Sequence, residues 1–312
     1  MSWDPARLPD LEGRTFVVTG ATAGIGYFAA EQLAAAGASV VLAARSPQKA
    51  HRVAGTLRDQ VPGAEVSVLQ LDLASLASVR RAADELAGLE RLDGMFLNGG
   101  SMAMRPRETT HDGHPTILGT HTLAGFALVA GVLPALASAG RRHGTVPRVV
   151  HASTGFVSRA RRTRVDDVAA VPSTGIAAYV KAKSITEIFA SELDRRLRAA
   201  GLPVASIVSR PGVGVDARTP ERAGVRDAAT PYRRNPFTPW AQGKDAAAWS
   251  GVRALTDPRA VGGEYFAPRD GRRGLPVRIV PPARTAAPGT DVAARVWTQL
   301  EALTGAPLPV GG

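Results

Sequence analysis

Short apolar runs alternate with longer helical patterns along the first half of the chain, and this alternation limits the fold more than any other feature. The apolar runs, which have the length of strands, are Thr15–Thr19, Ser39–Ala43, Glu65–Gln70, Gly94–Leu97 and Arg148–Ala152. The helical patterns between them are Ile25–Ala36, Pro47–Asp59, Leu76–Leu89 and Ile117–Ala137. Strands that alternate with helices build parallel βαβ units, and continuously apolar strands are typical of a sheet covered on both faces. We therefore predict an α/β fold of the Rossmann type, with a doubly wound parallel sheet and helices on both faces.

The second half of the chain continues this pattern less regularly. A basic loop up to about Gly175 precedes a predicted helix from Tyr179 to Arg198 and a sixth strand from Val204 to Ser209. Further predicted elements are a helix at Gln242–Leu255, a strand at Glu264–Phe266 and a last helix at Val292–Leu303. The irregular stretch over about 212–240 is typical of a lid over a substrate site. With no internal repeat or linker, residues 1–312 form a single predicted domain with a C-terminal extension over about 268–312.

The formal charge of the chain is +11, and it contains no cysteine. Without cysteine there are no disulfides, thiolate metal sites or thiol nucleophiles, and we predict no bound metal. Only four of the 38 basic residues are lysines, so arginine carries the charge. Local clusters are Arg159, Arg161, Arg162 and Arg164, and Arg233 with Arg234. No stacking aromatic residues are interleaved with them, which favours a solvated basic face, or attraction of anionic ligands, over a nucleic-acid site.

The N-terminal sequence has no basic segment followed by an apolar core, and no continuous run of about eighteen apolar residues occurs in the chain. With 45% hydrophobic residues the chain is able to bury a sizeable core. We therefore expect a cytoplasmic protein that binds a small-molecule substrate and has neither a membrane nor a nucleic acid as partner.

A glycine-rich segment follows the first predicted strand and leads directly into a helix. It reads Thr19-Gly20-Ala21-Thr22-Ala23-Gly24-Ile25-Gly26. Glycine lets the backbone turn tightly and approach a phosphate, and the amide groups at a helix N-terminus bind anions. The strand, turn and helix stand in the order that a dinucleotide pyrophosphate requires. The predicted cofactor contacts at this turn are Gly20, Thr22, Ala23, Gly24, Ile25 and Gly26.

Residues at the ends of the next strands extend the predicted cofactor site. At the end of the second strand, where an acidic residue would bind a ribose 2′-hydroxyl, the chain has Ala44 followed by Arg45. An arginine pairs with a 2′-phosphate, so NADP(H) is favoured over NAD(H). Two further segments, Asp72-Leu73 and Asn98-Gly99-Gly100, lie at the sheet edge where open α/β proteins bind ligands. Asp72 is equally suited to cap the helix that follows it.

Tyr179 and Lys183 lie four residues apart in a predicted helix, so their side chains share one helix face. A free phenol has a pKa near ~10, and a neighbouring cation favours the phenolate. A phenol whose pKa is lowered in this way is able to exchange a proton at neutral pH. The pair gains significance from the glycine-rich turn upstream, because that turn predicts a cofactor in the same domain.

Together these motifs resemble the classical short-chain dehydrogenase/reductase family over about residues 12–305. The resemblance rests on the glycine-rich turn, Asp72-Leu73, Asn98-Gly99-Gly100, Tyr179-xxx-Lys183 and Pro211-Gly212, in that order. The C-terminal segment Gly262-Gly263-Glu264-Tyr265-Phe266 is similar to the retinol-dehydrogenase-like branch. The resemblance adds Pro211, Gly212, Tyr179 and Lys183 to the expected cofactor contacts.

The resemblance also implies roles for four catalytic positions. The family tyrosine, here Tyr179, exchanges a proton with the substrate oxygen, and the lysine, here Lys183, lowers the tyrosine pKa and holds the nicotinamide ribose. The serine that orients the substrate oxygen corresponds to Thr154, with Ser153 as the alternative if the strand end shifts by one residue. The asparagine of a proton relay corresponds to His121, which either passes protons, interrupts the relay or packs as an ordinary core histidine.

A further departure follows Gly212, where the family places a threonine on the cofactor carboxamide and this chain reads Val213-Gly214-Val215-Asp216, without a hydroxyl. The resemblance implies an NADP(H)-dependent oxidoreductase that interconverts a carbonyl and an alcohol on a small, partly apolar molecule. The departures keep open two alternatives, a redox-neutral cyclisation, dehydration or isomerisation, and a non-catalytic NADP-binding protein. A homo-oligomer is also possible, formed as is common in the family through two of the predicted helices, Ile117–Ala137 and Tyr179–Arg198.

Overall fold

A central sheet of eight strands organises the computed structural model, within its described residues 3–101, 105–160, 163–226, 238–308 and 310. The strands are β1 Thr15–Thr19, β2 Ser39–Ala44, β3 Val66–Gln70, β4 Gly94–Leu97, β5 Arg148–Ala152, β6 Ala205–Ser209, β7 Tyr265–Pro268 and β8 Pro276–Arg278. Their order across the sheet is β3-β2-β1-β4-β5-β6-β7-β8. Strands β1 to β7 pair in parallel, and β8 pairs with β7 antiparallel. The predicted doubly wound sheet is confirmed, and its strand order reverses between β1 and β4, where such folds bind ligands.

Helices connect the strands and cover both faces of the sheet. The α-helices are α1 Gly24–Ala35, α2 Pro47–Gln60, α3 Leu76–Ala87, α4 Thr116–Leu118, α5 Ala124–His143, α6 Phe156–Arg159, α7 Gly175–Ala199, α8 Lys244–Thr256, α9 Ala283–Ala286 and α10 Thr290–Thr304. A π-helical turn, Gly119–Leu123, joins α4 to α5, and 3₁₀ turns occupy Asp216–Arg218 and Thr238–Trp240. One face of the sheet packs against α3, α5, α7 and α10, and the other packs against α1, α2 and α8. Helices on both faces were predicted, and this too is confirmed.

Some element boundaries differ from the sequence predictions. The helix that carries Tyr179 begins earlier, at Gly175, because the Thr174 hydroxyl caps it by accepting a hydrogen bond from the Ala177 amide (3.2 Å). Strand β8 was not predicted, since three residues beginning with proline show no apolar alternation. Helix α8 begins at Lys244 rather than at Gln242.

The segment Thr116–His143 is long and apolar enough, by length and composition, to cross a membrane. In the structure most of its apolar window is buried inside the protein. The Phe126 ring of α5 lies 5.0 Å from the Phe189 ring of α7 and 5.6 Å from the Trp297 ring of α10, measured between centroids. A helix surrounded by protein needs an apolar composition all round, as a membrane span does. In this structure the segment is a core helix.

The described part of the lid-like segment lies over α1 and α2. Arg222 forms a bidentate ion pair with Glu31 of α1, with N···O distances of 2.7 and 3.0 Å. The Ala223 carbonyl accepts a hydrogen bond from the Thr56 hydroxyl of α2 (2.8 Å). Four arginines of the predicted basic clusters lie outside the described residues: Arg161, Arg162, Arg233 and Arg234.

Candidate active site

The glycine-rich turn between β1 and α1 has the shape that a pyrophosphate needs. Gly20 and Gly24 have φ values of 67° and 56°, which favour glycine. A Cβ atom on Gly26 would lie 2.5 Å from the Gly20 carbonyl oxygen, and one on Gly20 would lie 2.8 Å from Gly99 Cα. The cap residue Ala23 makes no side-chain hydrogen bond, and the first turn of α1 has no acidic residue. The first amide groups of α1 are therefore available to an anion, and the turn fits the pyrophosphate of a dinucleotide.

The predicted cofactor residues that follow β3 and β4 pack against this turn. The Gly99 amide donates to Thr19 Oγ1 (2.9 Å), and Asn98 Nδ2 donates to the Thr19 carbonyl (3.3 Å). A Cβ atom on Gly99 would lie 2.7 Å from Leu73 Cδ1. The ends of β1, β3 and β4 thus form one continuous surface at the point where the strand order reverses.

Arg45 and Asp72 stand at the outer end of that surface. Arg45 is exposed immediately after β2, and no ion-pair partner for it is found among the described residues. Asp72 does not cap α3, because Ser75 takes that place by accepting from the Ser78 amide (3.2 Å). The Asp72 carboxylate instead accepts from the Ala74 amide (2.9 Å). Arg45 is therefore free to meet an anion.

Pro211 and Gly212 lie at the end of β6, beside the turn that joins β7 to β8. The Pro211 carbonyl accepts a hydrogen bond from Gln242 Nε2 (2.9 Å). Gly212 has a φ of 74°, and a Cβ atom there would collide with the Arg272 carbonyl. Glycine is required at this position by both the backbone conformation and the close approach.

Tyr179 lies on the second turn of α7 with its phenol beside the Thr154 hydroxyl. Burial raises the pKa of Tyr179 above its ordinary value, and the neighbouring Thr154 hydroxyl offsets part of the rise. The sequence led us to expect a pKa lowered by Lys183, so the direction of the shift is opposite to that expectation. At neutral pH the phenol is protonated and is ready to act as an acid.

Lys183 is one helical turn further along α7 and is almost fully buried. Its Nζ donates to the Ala152 carbonyl at the end of β5 (2.6 Å). Burial lowers the pKa of Lys183 to about 8, and the carboxylate of Glu187 offsets part of that fall. Below that pH the Ala152 carbonyl holds the ammonium at a fixed point, on the same helix face as Tyr179.

Ser153 is engaged elsewhere. Its buried hydroxyl donates to Glu187 Oε1 (2.5 Å). The two hydroxyl groups at the end of β5 therefore differ in role, since Ser153 anchors α7 to the strand and Thr154 meets the tyrosine. The geometry favours Thr154 over Ser153 as the residue that contacts a substrate oxygen.

The sequence pattern did not reveal Glu187, which lies four residues after Lys183 and is completely buried. Arg210 Nη2 lies 2.8 and 3.0 Å from its two carboxylate oxygens, and the Thr285 hydroxyl donates to Oε2 (2.7 Å). This network joins α7, the ends of β5 and β6, and the C-terminal extension. The available signal was the spacing, which places a carboxylate on the same helix face as the lysine.

His121 belongs to the π-helical turn and packs edge-on against Tyr179, with 5.1 Å between ring centroids. Its Nε2 lies 2.9 Å from the Ser101 carbonyl, which only accepts, so Nε2 carries the proton. Its Nδ1 is buried without a hydrogen-bond partner in the described structure. Burial and the nearby Lys183 lower the pKa of His121 to about 3, so it does not titrate near pH 6.5 as a free histidine does. His121 is a neutral ring with one unused acceptor beside the tyrosine.

Comparison with known proteins identifies this arrangement. A family model described as short chain dehydrogenase matches residues 14–160. Polyprenol dehydrogenase from Mus musculus is 33% identical over 309 residues, which cover 97% of this chain and 87% of that protein. The chain belongs to the short-chain dehydrogenase/reductase family. Human retinol dehydrogenase 13 is 34% identical over 207 residues, 65% of this chain and 60% of that protein, which supports the retinol-dehydrogenase-like branch.

Solved structures agree with this assignment. A protein from Mycobacterium paratuberculosis superposes with a TM-score of 0.78 and 31% identity, covering 99% of this chain and all of that one. A short-chain dehydrogenase from Escherichia coli CFT073, solved with NADPH, has a TM-score of 0.53 and 25% identity over 66% of this chain and 79% of that one. The family and fold are therefore shown, and the family is one of oxidoreductases.

Proposed function

We propose that this protein is an NADP(H)-dependent oxidoreductase that interconverts a carbonyl and an alcohol on a small, partly apolar molecule. One observation carries the proposal: the Tyr179 phenol lies beside the Thr154 hydroxyl and one helical turn from Lys183, whose ammonium is fixed by the Ala152 carbonyl. These three groups are at the carboxyl edge of the sheet, which they share with a glycine-rich turn that fits a dinucleotide. Tyr179 is the general acid/base of the reaction.

A nicotinamide cofactor held by the glycine-rich turn would supply, in the direction of reduction, the hydride that the carbonyl carbon receives. The Thr154 hydroxyl donates a hydrogen bond to the carbonyl oxygen and orients it. The Tyr179 hydroxyl then transfers its proton to that oxygen, which completes the alcohol and leaves a phenolate. The Lys183 ammonium, one helical turn from Tyr179 on the same helix face, stabilises the phenolate, since a nearby opposite charge favours the ionised form. Oxidation of an alcohol runs through the same groups in reverse.

Two features support NADP(H) over NAD(H). The end of β2 presents Ala44 and the exposed Arg45 in place of an acidic residue, so a 2′-phosphate would meet a cation rather than a repelling carboxylate. A structural relative was solved with NADPH. The name of one relative, polyprenol dehydrogenase, supports an apolar alcohol or its carbonyl form as substrate.

The test is to incubate the protein with deuterated NADPH and a panel of apolar aldehydes, ketones and alcohols. Cofactor absorbance and deuterium in the product are followed together. We expect stoichiometric loss of NADPH with transfer of the label. In Tyr179→Phe, turnover should fall about 10²- to 10⁴-fold while NADPH affinity is retained, because only the proton donor is lost. Full activity in this variant would contradict the role of Tyr179.

His121 favours a second candidate, a redox-neutral reaction on the same fold. A neutral imidazole with an unused acceptor would hold a substrate hydroxyl by accepting its hydrogen bond beside the Tyr179 acid, an arrangement suited to dehydration or isomerisation. The deuterium experiment separates the two functions. Product that forms without NADPH loss and without label would support the redox-neutral reaction, and label in the product would exclude it.

A further inference from the structure

The side chain of Lys244 crosses the glycine-rich turn at the start of α1. Lys244 is the first residue of α8, and its amide donates to the Thr219 hydroxyl (2.9 Å). Its Cδ lies 3.3 Å, and its Nζ 3.9 Å, from the position that a Cβ atom would take on Gly24. The lysine is 220 positions from this glycine in sequence, and no motif connects them. In space it lies over the turn that the proposed function assigns to the pyrophosphate.

This arrangement brings two positive groups together. The N-terminus of α1 carries the positive end of the helix dipole, and neither a capping side chain nor an acidic residue in its first turn offsets it. An ammonium group is unfavourable at such a site unless an anion lies close to both. In the described part of the chain, the acid that pairs with Lys244 is Asp216, at 2.5 Å. Asp216 holds the ammonium, while the first turn of α1 has neither a capping side chain nor an acidic residue of its own.

The pairing of Lys244 with Asp216 is suited to exchange. The two side chains are 30% and 26% exposed, and ion pairs open to solvent contribute little to stability. A pyrophosphate carries more charge than one carboxylate and accepts charge-assisted hydrogen bonds from the ammonium and the helix amides together. Asp216 also occupies the place where the family pattern has a threonine, next to the expected cofactor.

We propose that Lys244 is a cofactor-binding residue whose ammonium moves from Asp216 to the pyrophosphate when the dinucleotide binds. Asp216 acts as an internal competitor that keeps Lys244 at the turn while the site is free. The inference rests on the proposed function and deepens it. It separates two contributions to binding: Lys244 adds affinity for any dinucleotide, and Arg45 selects the 2′-phosphate.

The experiment measures the affinities of NADPH, NADH and ADP-ribose by calorimetry, for the wild type and for Lys244→Met, Arg45→Met and Asp216→Asn. ADP-ribose keeps the pyrophosphate but lacks the nicotinamide and the 2′-phosphate. We expect Lys244→Met to weaken all three ligands by a similar factor of about 10 to 100, the range for a hydrogen bond to a charged group. Arg45→Met should weaken NADPH alone.

Asp216→Asn tests the exchange by removing the carboxylate that competes with the pyrophosphate for Lys244, and it leaves Lys244 in place. Removing the competitor and its charge should tighten NADPH binding several-fold. Arg195→Met is the matched control, because it also removes one cation from a partly exposed ion pair, with Glu192, on the last turns of α7. It should leave all three affinities unchanged. Thermal unfolding of each variant establishes that it is folded.

The outcomes separate the inference from the proposed function. If the wild type binds no NADPH, the proposed function is wrong and the inference falls with it. If the wild type binds NADPH, and Lys244→Met binds each of the three ligands as tightly as the wild type does, the inference is wrong and the proposed function stands. If Lys244→Met weakens NADPH but not ADP-ribose, Lys244 does not contact the pyrophosphate. Weaker NADPH binding by Asp216→Asn would also overturn the exchange.

Discussion

Replacing Glu187 with glutamine would leave the Arg210 guanidinium buried without its acid partner. Glu187 is completely buried, Arg210 is 5% exposed, and their closest N···O distance is 2.8 Å. The carboxylate also accepts hydrogen bonds from Ser153 and Thr285. Glutamine keeps the shape and one acceptor of the carboxylate but removes its charge. The variant therefore tests the charge rather than the packing.

The expected loss of stability follows from the burial of both partners. Breaking a buried ion pair costs about 3–5 kcal/mol, and the acceptor that remains in glutamine places this variant near 3 kcal/mol. At roughly 2 °C per kcal/mol for a chain longer than 150 residues, the midpoint of thermal unfolding should fall by about 6 °C. Glu187 also raises the pKa of Lys183, which burial brings down to about 8. Its removal should lower the pKa of Lys183 further and move the alkaline limb of the activity profile to lower pH.

The assay combines thermal unfolding with the pH dependence of turnover. Glu192→Gln is the matched control, because Glu192 lies on the same helix and pairs with Arg195 and Arg196 closer to solvent, where the Arg195 side chain is 50% exposed. It should cost about 1 kcal/mol or less and leave the pH profile unchanged. The double variant Glu187→Met with Arg210→Met removes both charges and should recover most of the lost stability, but not the original pH profile.

A midpoint within about 1 °C of the wild type for Glu187→Gln would refute the reasoning on the buried pair. An unshifted alkaline limb would refute the electrostatic effect of Glu187 on Lys183. Failure of the double variant to recover stability would mean that the hydrogen bonds from Ser153 and Thr285, rather than the charge pair, dominate the energetics of the network.

Three further predictions concern single groups. Thr154→Val should lower kcat/KM about 10²- to 10³-fold, the cost of one donor to a developing oxyanion, while Thr154→Ser stays within a few-fold of the wild type; equal rates for both variants would contradict a role for the hydroxyl. Arg45→Met should lower the ratio of the Kd of NADH to the Kd of NADPH by about 10-fold or more. An unchanged ratio would mean that the 2′-phosphate does not contact Arg45. Burial lowers the pKa values of His121 and His151 to about 3 in the folded protein, whereas histidine in the unfolded chain has a pKa near 6.5. Between these values the unfolded chain binds more protons than the folded protein. The free energy of unfolding should therefore fall as the pH falls from about 6.5 towards 3. Each histidine should contribute about 1.4 kcal/mol per pH unit to the pH dependence of the free energy of unfolding, measured with urea. His121→Gln should remove the contribution of His121, and an unchanged pH dependence would contradict the low pKa of this residue.

The strands and most helices were predictable because their signal is local. Continuous apolar runs bounded by turns gave β1 and β5 with the residue limits that the structure shows. Strand β8 was not predictable, because its pairing with β7 depends on a turn between them and not on its own three residues. The family was predictable from short motifs, each readable by itself, and from their order along the chain.

The electrostatics of the site were beyond the sequence. The spacing of Tyr179 and Lys183 placed them on one helix face, but the pKa of the tyrosine depends on burial, which raises it. A glutamate in the middle of a helix is usually exposed, so Glu187 gave no sign of its buried partner. Lys244 and Gly24 meet only because α8 packs against α1.

Strand β8 ends the sheet in a way that limits its lateral growth. Its first residue, Pro276, has no amide hydrogen to offer to another strand, and the Pro276 carbonyl already accepts a hydrogen bond from Arg253. The chain then reaches Pro281 and Pro282 within a few residues. A second copy of the protein that tried to extend the sheet at this edge would find few free backbone groups to pair with. The short antiparallel strand therefore protects this edge of the sheet from strand-to-strand aggregation.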